Sequence, residues 1–515
     1  MTTAEKKLPG VASNLLSERE QKHAALIRQI AAEGIVLLKN DGILPLDPSH
    51  KIALYGFGAR YTVKGGTGSG SVNNRCNITV DQGLRDAGFE IANTAWLDDF
   101  DRRYEDAKQA WMKSIYAMSE PGDFDSLYRA YAAHPMTAPE GKEITGGDAD
   151  TAIYVLSRIS GEGADRKYAP GDYLLSETEA GELKQLCAAY PHVIVVLNVG
   201  GIMDLSFMDE LPVEALVLLS QAGMEGGHSL ADVLTGKVPF SGHLSDSWPF
   251  RYEDLPSSAH FSHNDGNIIR EYYTDDIYVG YRYFDSFDVQ PRYPFGFGLS
   301  TTAFRESVEK SETNQGFFRV EVRVENIGRR PGRQVLQLYA ACPSGLRMKE
   351  QKKLIAFAKT GELQPGESEN LTLSAPLRLL AAYHTGKASW YLDAGSYPLL
   401  LGHSAADVHP VASLSLQNTV FLHRTGNILP LQDALRVIAP DSSRVAAWEN
   451  RFAAEAADIP VFTLEDQLEA IRAQLAPGES IPDEYDRKAE QIAASLSDEQ
   501  KAMLKDQVEA FLKFV

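Results

Sequence analysis

Residues 151–166 read TAIYVLSRISGEGADR, a short apolar run followed directly by a polar loop that contains two glycines. A continuous apolar run of this length, here 151–156, is typical of a strand that is buried on both faces of a sheet. Four further runs of the same kind occur at 35–38, 51–55, 193–197 and 215–219. Helical patterns, for example at 177–187, lie between these runs. The alternation of buried strands with helices predicts an α/β sandwich domain with a largely parallel sheet at about residues 1–302.

Two other patterns follow within and after this domain. Residues 95–148 interrupt the alternation with helical spacing, so we interpret them as a helical insertion in the α/β domain. Beyond residue 302 the apolar period becomes 2, since residues 318–324 alternate apolar and charged side chains. Regularly spaced short strands of this kind predict a β-sandwich at 303–422.

The C-terminal segment, 423–515, is predicted to be a helical tail. One apolar helical face is formed by Leu464, Leu468, Ile471 and Leu475. A second helix is predicted from Ser497, where Gln500 completes a capping box. Neither helix has an evident core of its own, so we expect both to pack on the preceding domains or on a partner.

The composition is that of a globular, acidic protein. The 515 residues are 44% hydrophobic and 23% charged, and 70 Asp and Glu against 50 Lys and Arg give a formal net charge of −20. Such a charge repels phosphate backbones and anionic surfaces, so neither nucleic acid nor a membrane is expected as a partner. Cys76, Cys187 and Cys342 form no disulfide or metal pattern, and the N-terminus has no apolar stretch typical of a secretory signal. We therefore expect a cytoplasmic protein.

Residues 65–71, GGTGSGS, form a glycine-rich stretch. Glycines allow positive φ angles and a close approach of the backbone to a ligand. The stretch lacks the Gly-Lys-Ser/Thr of a P-loop and the spacing of a dinucleotide fingerprint, and no cluster has metal-ligand spacing, so neither a cofactor nor a metal is predicted. It is either a flexible surface turn or a loop that lines a pocket for a polar ligand, with Ser69 offering a hydroxyl.

The polar loop at 157–166 places Glu162 between two glycines. Open α/β sheets bind ligands beyond the carboxyl ends of their strands, and this loop follows the predicted strand 151–156. An unobstructed carboxylate at that position could serve as a general acid. The alternative is a solvated glutamate that forms an ion pair with Arg158 or Arg166.

Together with several other segments, these loops resemble glycoside hydrolase family 3, the family of many β-glucosidases. The matching segments are 34–46 (GIVLLKNDGILPL), 64–70 (KGGTGSG), 157–166 (SRISGEGADR), 195–200 (VVLNVG), 221–226 (QAGMEG), 231–236 (ADVLTG), 277–284 (IYVGYRYF), 293–300 (YPFGFGLS) and 365–368 (PGES). They follow the family's own order over about residues 20–420. In that family the α/β-sandwich domain is followed by a fibronectin type III-like domain, which the resemblance implies for 303–422.

The resemblance implies a retaining hydrolase that acts in carbohydrate metabolism on terminal β-D-glycosides, such as β-glucosides. By motif, Glu162 maps to the acid/base, and Ser69 and Gly68 map to the loop that contacts the sugar. The acid/base would first protonate the leaving oxygen and then activate water, with a nucleophilic carboxylate about 5–5.5 Å away. In this family the nucleophile is an Asp of an (α/β)₈ barrel.

The barrel has no counterpart in the 515 residues, because no stretch offers eight βα repeats. The domain order resembles that of family members in which the barrel comes last. Asp246, near Trp248, does not replace the nucleophile, since it matches a structural stretch of the α/β domain. We expect the barrel to come from a separate chain or to have been lost by truncation, and a homodimer stays open. The alternative function is a catalytically inactive remnant that binds a sugar or a partner.

Overall fold

The computed structural model describes residues 16–66, 70, 72, 74–134, 136, 139, 142–159, 165–425, 435–456, 459–475 and 497. Its helices are α1 (Glu18–Gly34), α2 (Val80–Asp86), α3 (Thr94–Met118), α4 (Phe124–Ala133), α5 (Glu177–Ala189), α6 (Phe207–Glu210), α7 (Gly226–Leu234), α8 (Tyr281–Ser286), α9 (Ser442–Glu455) and α10 (Leu468–Leu475). Its strands are β1 (Val36–Asn40), β2 (Ile52–Tyr55), β3 (Thr151–Arg158), β4 (His192–Val199), β5 (Ala215–Leu218), β6 (Trp248–Pro249), β7 (Pro291–Tyr293), β8 (Phe304–Asn314), β9 (Phe317–Asn326), β10 (Val335–Ala340), β11 (Lys353–Lys359), β12 (Ser368–Pro376), β13 (Ala382–His384), β14 (Ser389–Leu392), β15 (Gly395–Ser404), β16 (Asp407–Leu416), β17 (Val420–Arg424) and β18 (Val461–Thr463). Within these ranges, no helix combines the length and the apolar character that crossing a membrane requires.

The α/β domain is built on a sheet whose described strands have the order β1-β5-β4-β3-β2. The strands β2 to β5 run parallel, whereas β1 pairs antiparallel with β5 at one edge. Alternate residues of β4 enter two separate cores, with Ile194 and Val196 on one face and Val195 and Leu197 on the other. A strand buried on both faces needs apolar residues at consecutive positions, which explains the continuous runs. The predicted α/β sandwich with a largely parallel sheet is confirmed.

The helices α3 and α4 occupy the chain between β2 and β3. Asn93 fixes the start of α3 to the edge strand, because its side chain accepts from the Leu54 N–H at 2.9 Å and donates to the Leu54 carbonyl at 2.7 Å. Farther along α3, the ring of Tyr104 packs on that of Tyr61 with their centroids 4.3 Å apart. The helix α3 therefore extends from the edge of the sheet toward the segment that follows β2.

The second domain packs largely antiparallel sheets face to face. Among the described strands, one sheet has the order β12-β9-β8, a second has the order β11-β10-β15-β16-β18, and a smaller sheet contains β13, β14 and β17. On β9, Phe318, Val320, Val322 and Val324 are fully buried in the core between the sheets. The charged residues between them stay outside that core. The β-sandwich that the period of 2 predicts is confirmed.

The C-terminal segment packs on this sandwich. The strand β18 adds as a parallel neighbour to β16, and α10 follows it. Leu464 and Ile471 are 0% exposed and belong to the core of the sandwich. The helix α9 packs at another place, where Trp448 contacts the cluster around Tyr339. The helix predicted from Ser497 lies outside the described residues, apart from Ser497 itself.

The substitution Ile471→Ala is expected to lower the free energy of unfolding of the sandwich by about 3 kcal/mol, because it removes buried methylene groups and leaves a cavity. Chemical denaturation of the full chain, followed through the sandwich transition, measures this loss. The control is Val461→Ala on β18, whose side chain is exposed and whose loss should stay near or below about 0.5 kcal/mol. Equal losses in the two variants would contradict the placement of α10 in the core.

Candidate active site

The two loops singled out in the sequence leave the sheet at the same edge. The strand β3 ends at Arg158, where the loop of Glu162 begins. The strand β2 ends at Tyr55, and a 3₁₀ helix at Phe57–Ala59 leads from it toward the glycine-rich stretch. Because β2 and β3 are parallel neighbours, their carboxyl ends lie side by side. Open α/β sheets bind their ligands at this edge.

Asn198, near the carboxyl end of β4, joins the stems of both loops. Its side chain is 0% exposed. The Oδ1 atom accepts from the Val63 N–H at 2.7 Å and from the Ser157 hydroxyl at 2.9 Å. The Nδ2 group donates to the carbonyls of Val63 at 2.9 Å and Ser220 at 2.7 Å. One buried amide therefore holds together the stem of the glycine-rich stretch, the stem of the Glu162 loop and the segment after β5.

Direct backbone packing reinforces the contact between the two stems. Gly58 lies against β3 so closely that a Cβ atom there would stand 2.1 Å from Ser157 Oγ and 2.6 Å from Val155 Cγ1. A residue with a side chain would push the 3₁₀ helix away from β3. Farther along, Lys64 Nζ donates to the Val72 carbonyl at 2.7 Å and so links the two sides of the glycine-rich stretch at its base.

Arg158 has no N–H donor left for an ion pair with Glu162. Its guanidinium contacts the carboxylate of Glu179 through NH1 at 2.6 Å and NH2 at 2.8 Å. The other N–H groups donate to the carbonyls of Asp172, Leu174 and Ser157. A guanidinium carries five N–H donors, and these five contacts occupy all of them.

Arg166, at the other end of the loop, is held by Asp172. Its Nε pairs with the Asp172 carboxylate, and its NH2 donates to the Asp172 carbonyl at 3.0 Å. The Lys167 N–H donates to the same carboxylate at 2.6 Å. Both ends of the loop are thus anchored around Asp172, and the full occupancy of Arg158 weakens the alternative that Glu162 is an ion-pair partner of that arginine.

The residues singled out in the sequence as the site, Glu162, Ser69 and Gly68, lie outside the described residues. Their roles and positions stay predictions, whereas the stems of their loops are described. Sequence reasoning missed Asn198 as the residue that joins these stems. Its signal was its place as the one polar residue in the apolar run 193–199.

An apolar patch is exposed in the segment 268–273. We define it by Ile268, Ile269 and Tyr273, which are 79%, 87% and 90% exposed. Earlier in the chain, Tyr252 contacts a residue that follows the Glu162 loop, since its ring stacks on that of Tyr168 with the centroids 4.6 Å apart. The Tyr252 hydroxyl in turn accepts from Asn264 Nδ2 at 3.2 Å. Large apolar side chains exposed together are typical of a surface that contacts a partner.

Asp246 belongs to the packing of the α/β domain. Its Oδ1 accepts from Trp248 Nε1 at 3.1 Å, and Trp248 is fully buried. Burial raises the pKa of the Asp246 carboxyl. The side chain orients Trp248 in the core, in agreement with the structural interpretation of this stretch. Across the part of the chain that the structure describes, no group of three or more His, Cys, Asp or Glu side chains is arranged to hold a metal ion.

Known proteins resemble this chain over most of its length. Beta-glucosidase A of Butyrivibrio fibrisolvens is 32% identical over 555 residues, which cover 94% of this chain and 64% of that protein. A beta-glucosidase of Ruminococcus albus is 32% identical over 82% of this chain and 43% of that protein. The structure of beta-glucosidase 3B from Thermotoga neapolitana in complex with α-D-glucose matches with a TM-score of 0.65 and 35% identity, over 79% of this chain and 55% of that chain. The chain thus spans between 43% and 64% of the length of these relatives.

Two family models also match. The model of the fibronectin type III-like domain matches residues 334–405, within the β-sandwich. The model of the glycosyl hydrolase family 3 C-terminal domain matches residues 35–301, which is more than half of the chain and includes β1 to β5. The chain therefore belongs to glycosyl hydrolase family 3.

Proposed function

We propose that this chain carries the acid/base half of a retaining β-glycosidase site that acts on terminal β-D-glycosides, with β-glucosides as the first candidates. Glu162 is the proposed acid/base, and Ser69 and Gly68 are the proposed sugar contacts. The observation that carries the proposal is the buried amide of Asn198, which ties the stems of both loops together at the carboxyl edge of the sheet. The relatives add support, since they are beta-glucosidases and one solved relative is in complex with glucose.

In this proposal Glu162 acts in two steps. As an acid, it gives its proton to the glycosidic oxygen while a carboxylate nucleophile bonds to the anomeric carbon, so the aglycone leaves as an alcohol. As a base, it then takes a proton from water, whose oxygen attacks the anomeric carbon and releases the nucleophile. A carboxylate with this task must not be locked in an ion pair, and the full occupancy of Arg158 supports that condition.

We further propose that the nucleophile is supplied by a separate barrel unit that docks on the apolar patch. The relatives contain a further portion that this chain does not match. A unit docked on the patch must also reach the Glu162 loop, as a shared site requires. A second copy of this chain is the other occupant to be tested.

The double substitution Ile269→Ser and Tyr273→Ser is expected to weaken binding of the barrel unit about 10- to 100-fold, because central apolar anchors carry much of the energy of an interface. The unmatched portion of the Butyrivibrio fibrisolvens relative, made as a separate polypeptide, serves as the barrel unit in a calorimetric titration. The control is Phe357→Ser, which removes an exposed aromatic side chain from β11 on the other domain. Unchanged affinity in the double variant would place the docking surface elsewhere. If the unmodified chain sediments as a dimer and the double variant as a monomer, a second copy of this chain is the occupant of the patch.

Turnover of an aryl β-D-glucoside tests the function itself. The chain is assayed alone and together with the same barrel unit. Turnover that requires both polypeptides is the expected result. Turnover by the chain alone would show that a nucleophile lies within these 515 residues and would overturn the division of the site. Sugar binding without turnover in the formed complex would favour the inactive binding remnant.

A further inference from the structure

The loop of Glu162 begins and ends at an arginine, and each of these arginines has a carboxylate partner. Arg158 and Arg166 both stand four positions from Glu162 in the sequence. The Arg158 guanidinium forms a bidentate pair with Glu179, in which the two side chains are 6% and 18% exposed. Arg166 pairs with the carboxylate of Asp172. Each end of the loop therefore carries one positive and one negative charge, which largely cancel at a distance.

Glu162 itself lies outside the described residues, but the chain bounds its distance from both arginines. Four residues of fully extended chain span at most about 14 Å. A unit charge within this distance shifts the titration of a carboxyl measurably when salt is low. A guanidinium without a carboxylate partner would favour the ionised form of Glu162. The acid of the proposed reaction must instead hold its proton until the glycosidic oxygen takes it.

The start of α5 fixes Glu179 against Arg158. Glu179 is the third residue of this helix, and its carboxylate accepts from the Ser176 N–H at 2.8 Å. The Ser176 hydroxyl in turn accepts from the Glu179 N–H at 3.2 Å. This capping box holds the carboxylate on the guanidinium without any contribution from the loop residues. Glu179 is thus a positioning residue, which acts on Glu162 only through Arg158.

Two further titratable groups pack close to the pair of Arg158 and Glu179. On β3, the Tyr154 hydroxyl donates to Glu182 Oε2 at 2.8 Å, and Glu182 lies one turn beyond Glu179 on α5. Burial raises the pKa of Tyr154 well above its ordinary value, so this hydroxyl stays neutral at the pH values at which carboxyl groups titrate. The charges that decide the field at this end of the loop are therefore those of Arg158 and the carboxylates of α5.

We propose that Glu179 neutralises Arg158 and thereby allows Glu162 to keep its proton at the pH of the acid step. Asp172 does the same for Arg166 at the other end of the loop. This role rests on the proposed function of Glu162 as the acid/base, and it names the residues that set the protonation of that site. It follows from the bidentate geometry, the burial of the pair and the short chain that separates the arginines from Glu162.

NMR titration of the glutamate carboxyl carbons in the full chain tests this role without any turnover. The Glu162 resonance is assigned by its absence in Glu162→Gln. In Glu179→Gln we expect the titration midpoint of Glu162 to fall by about half a unit to one unit at low salt. The shift should shrink as salt is added, because it arises from a charge. An unchanged midpoint in the folded Glu179→Gln variant would overturn the proposal.

The matched control is Glu177→Gln, which makes the same change of charge at an exposed position of the same helix turn. Solvent screens that charge, so the midpoint should move far less. Glu179→Asp keeps the charge and should leave the midpoint unchanged. Arg158→Gln, which leaves the Glu179 carboxylate unpaired, should raise the midpoint and so tests the same pair with the opposite sign. A midpoint that falls or stays unchanged in Arg158→Gln would overturn the action through Arg158.

Kinetics separate this proposal from the proposed function. In the proposed complex with a barrel unit, Glu179→Gln should move the alkaline limb of the kcat/KM profile to lower pH by the same amount as the midpoint. A shifted midpoint in a complex without turnover would support the neutralising role and contradict only the glycosidase function. Turnover with an unmoved midpoint and an unmoved limb would overturn the neutralising role alone.

Discussion

Glu162→Gln is expected to lower kcat/KM for an alkyl β-D-glucoside by about 10²- to 10⁴-fold in the proposed complex of this chain with a barrel unit. Glutamine has the size of glutamic acid but cannot give up a proton to the glycosidic oxygen. An alkoxide is a poor leaving group, so the first step suffers most with this substrate. Steady-state assays on the two matched complexes measure the loss.

The dependence on the leaving group separates loss of an acid from loss of structure. With a dinitrophenyl glucoside, whose leaving group needs no proton, the first step should persist and the second step should become limiting. Added azide should then restore turnover and yield a glucosyl azide, because azide attacks without a general base. This combination is expected only if Glu162 acts in both steps.

The control for this variant is Asp165→Asn, three positions along the same loop. Asp165 is an exposed carboxylate that follows the Ser-Gly-Glu-Gly stretch. Its substitution should change kcat/KM less than about twofold, since surface substitutions seldom have large effects. If Asp165→Asn shows the larger loss and the azide rescue, the acid/base assignment belongs to the wrong carboxylate.

Hydrophobic period alone predicted most of the fold. The run 193–197 is continuously apolar because both faces of its strand are buried. Residues 318–324 alternate between apolar and charged because only one face of their strand is buried. The direction of β1 could not be predicted in this way. Its apolar run looks like those of its neighbours, yet it pairs antiparallel with β5. A continuous run indicates burial on two faces but carries no information on strand direction.

The candidate site was predictable only in part, because its loop stems depend on contacts between distant residues. Val63 and Asn198 are 135 positions apart, and their hydrogen bonds leave no local pattern. The partners of Arg158 likewise come from a segment that sequence reasoning did not connect with the loop. The motif suggests that Glu162 is a general acid, whereas only the structure shows that the donors of Arg158 are occupied.

Asn198→Ala is expected to lower the free energy of unfolding of the α/β domain by about 3 kcal/mol. The substitution removes four hydrogen bonds and leaves the N–H and the carbonyl of Val63 without their partner in a partly buried place. Asn370→Ala is the control, because Asn370 is exposed and its side chain donates a hydrogen bond to Glu321, on the surface of the sandwich. The free energies of unfolding of the two variants, measured by chemical denaturation, should differ by most of this predicted loss.

The variant Asn198→Asp separates the two hydrogen-bonding roles of this amide, which accepts through Oδ1 and donates through Nδ2. The carboxylate keeps an acceptor for the Val63 N–H and the Ser157 hydroxyl, but it places a second oxygen against the carbonyls of Val63 and Ser220. Burial and these carbonyls raise the pKa of the new carboxyl in the folded state above its unfolded value. The folded state then binds the proton more tightly, so stability falls as pH rises above the unfolded pKa and recovers on acidification. A loss of stability that is large at pH 7 and smaller at pH 5, against a pH-independent loss in Asn198→Ala, is the expected result.

If the glycine-rich stretch and the Glu162 loop form one site through Asn198, both variants should also lower kcat in the proposed complex under conditions where they are folded. Unchanged kcat in a folded Asn198 variant would show that the stems need not be joined for catalysis.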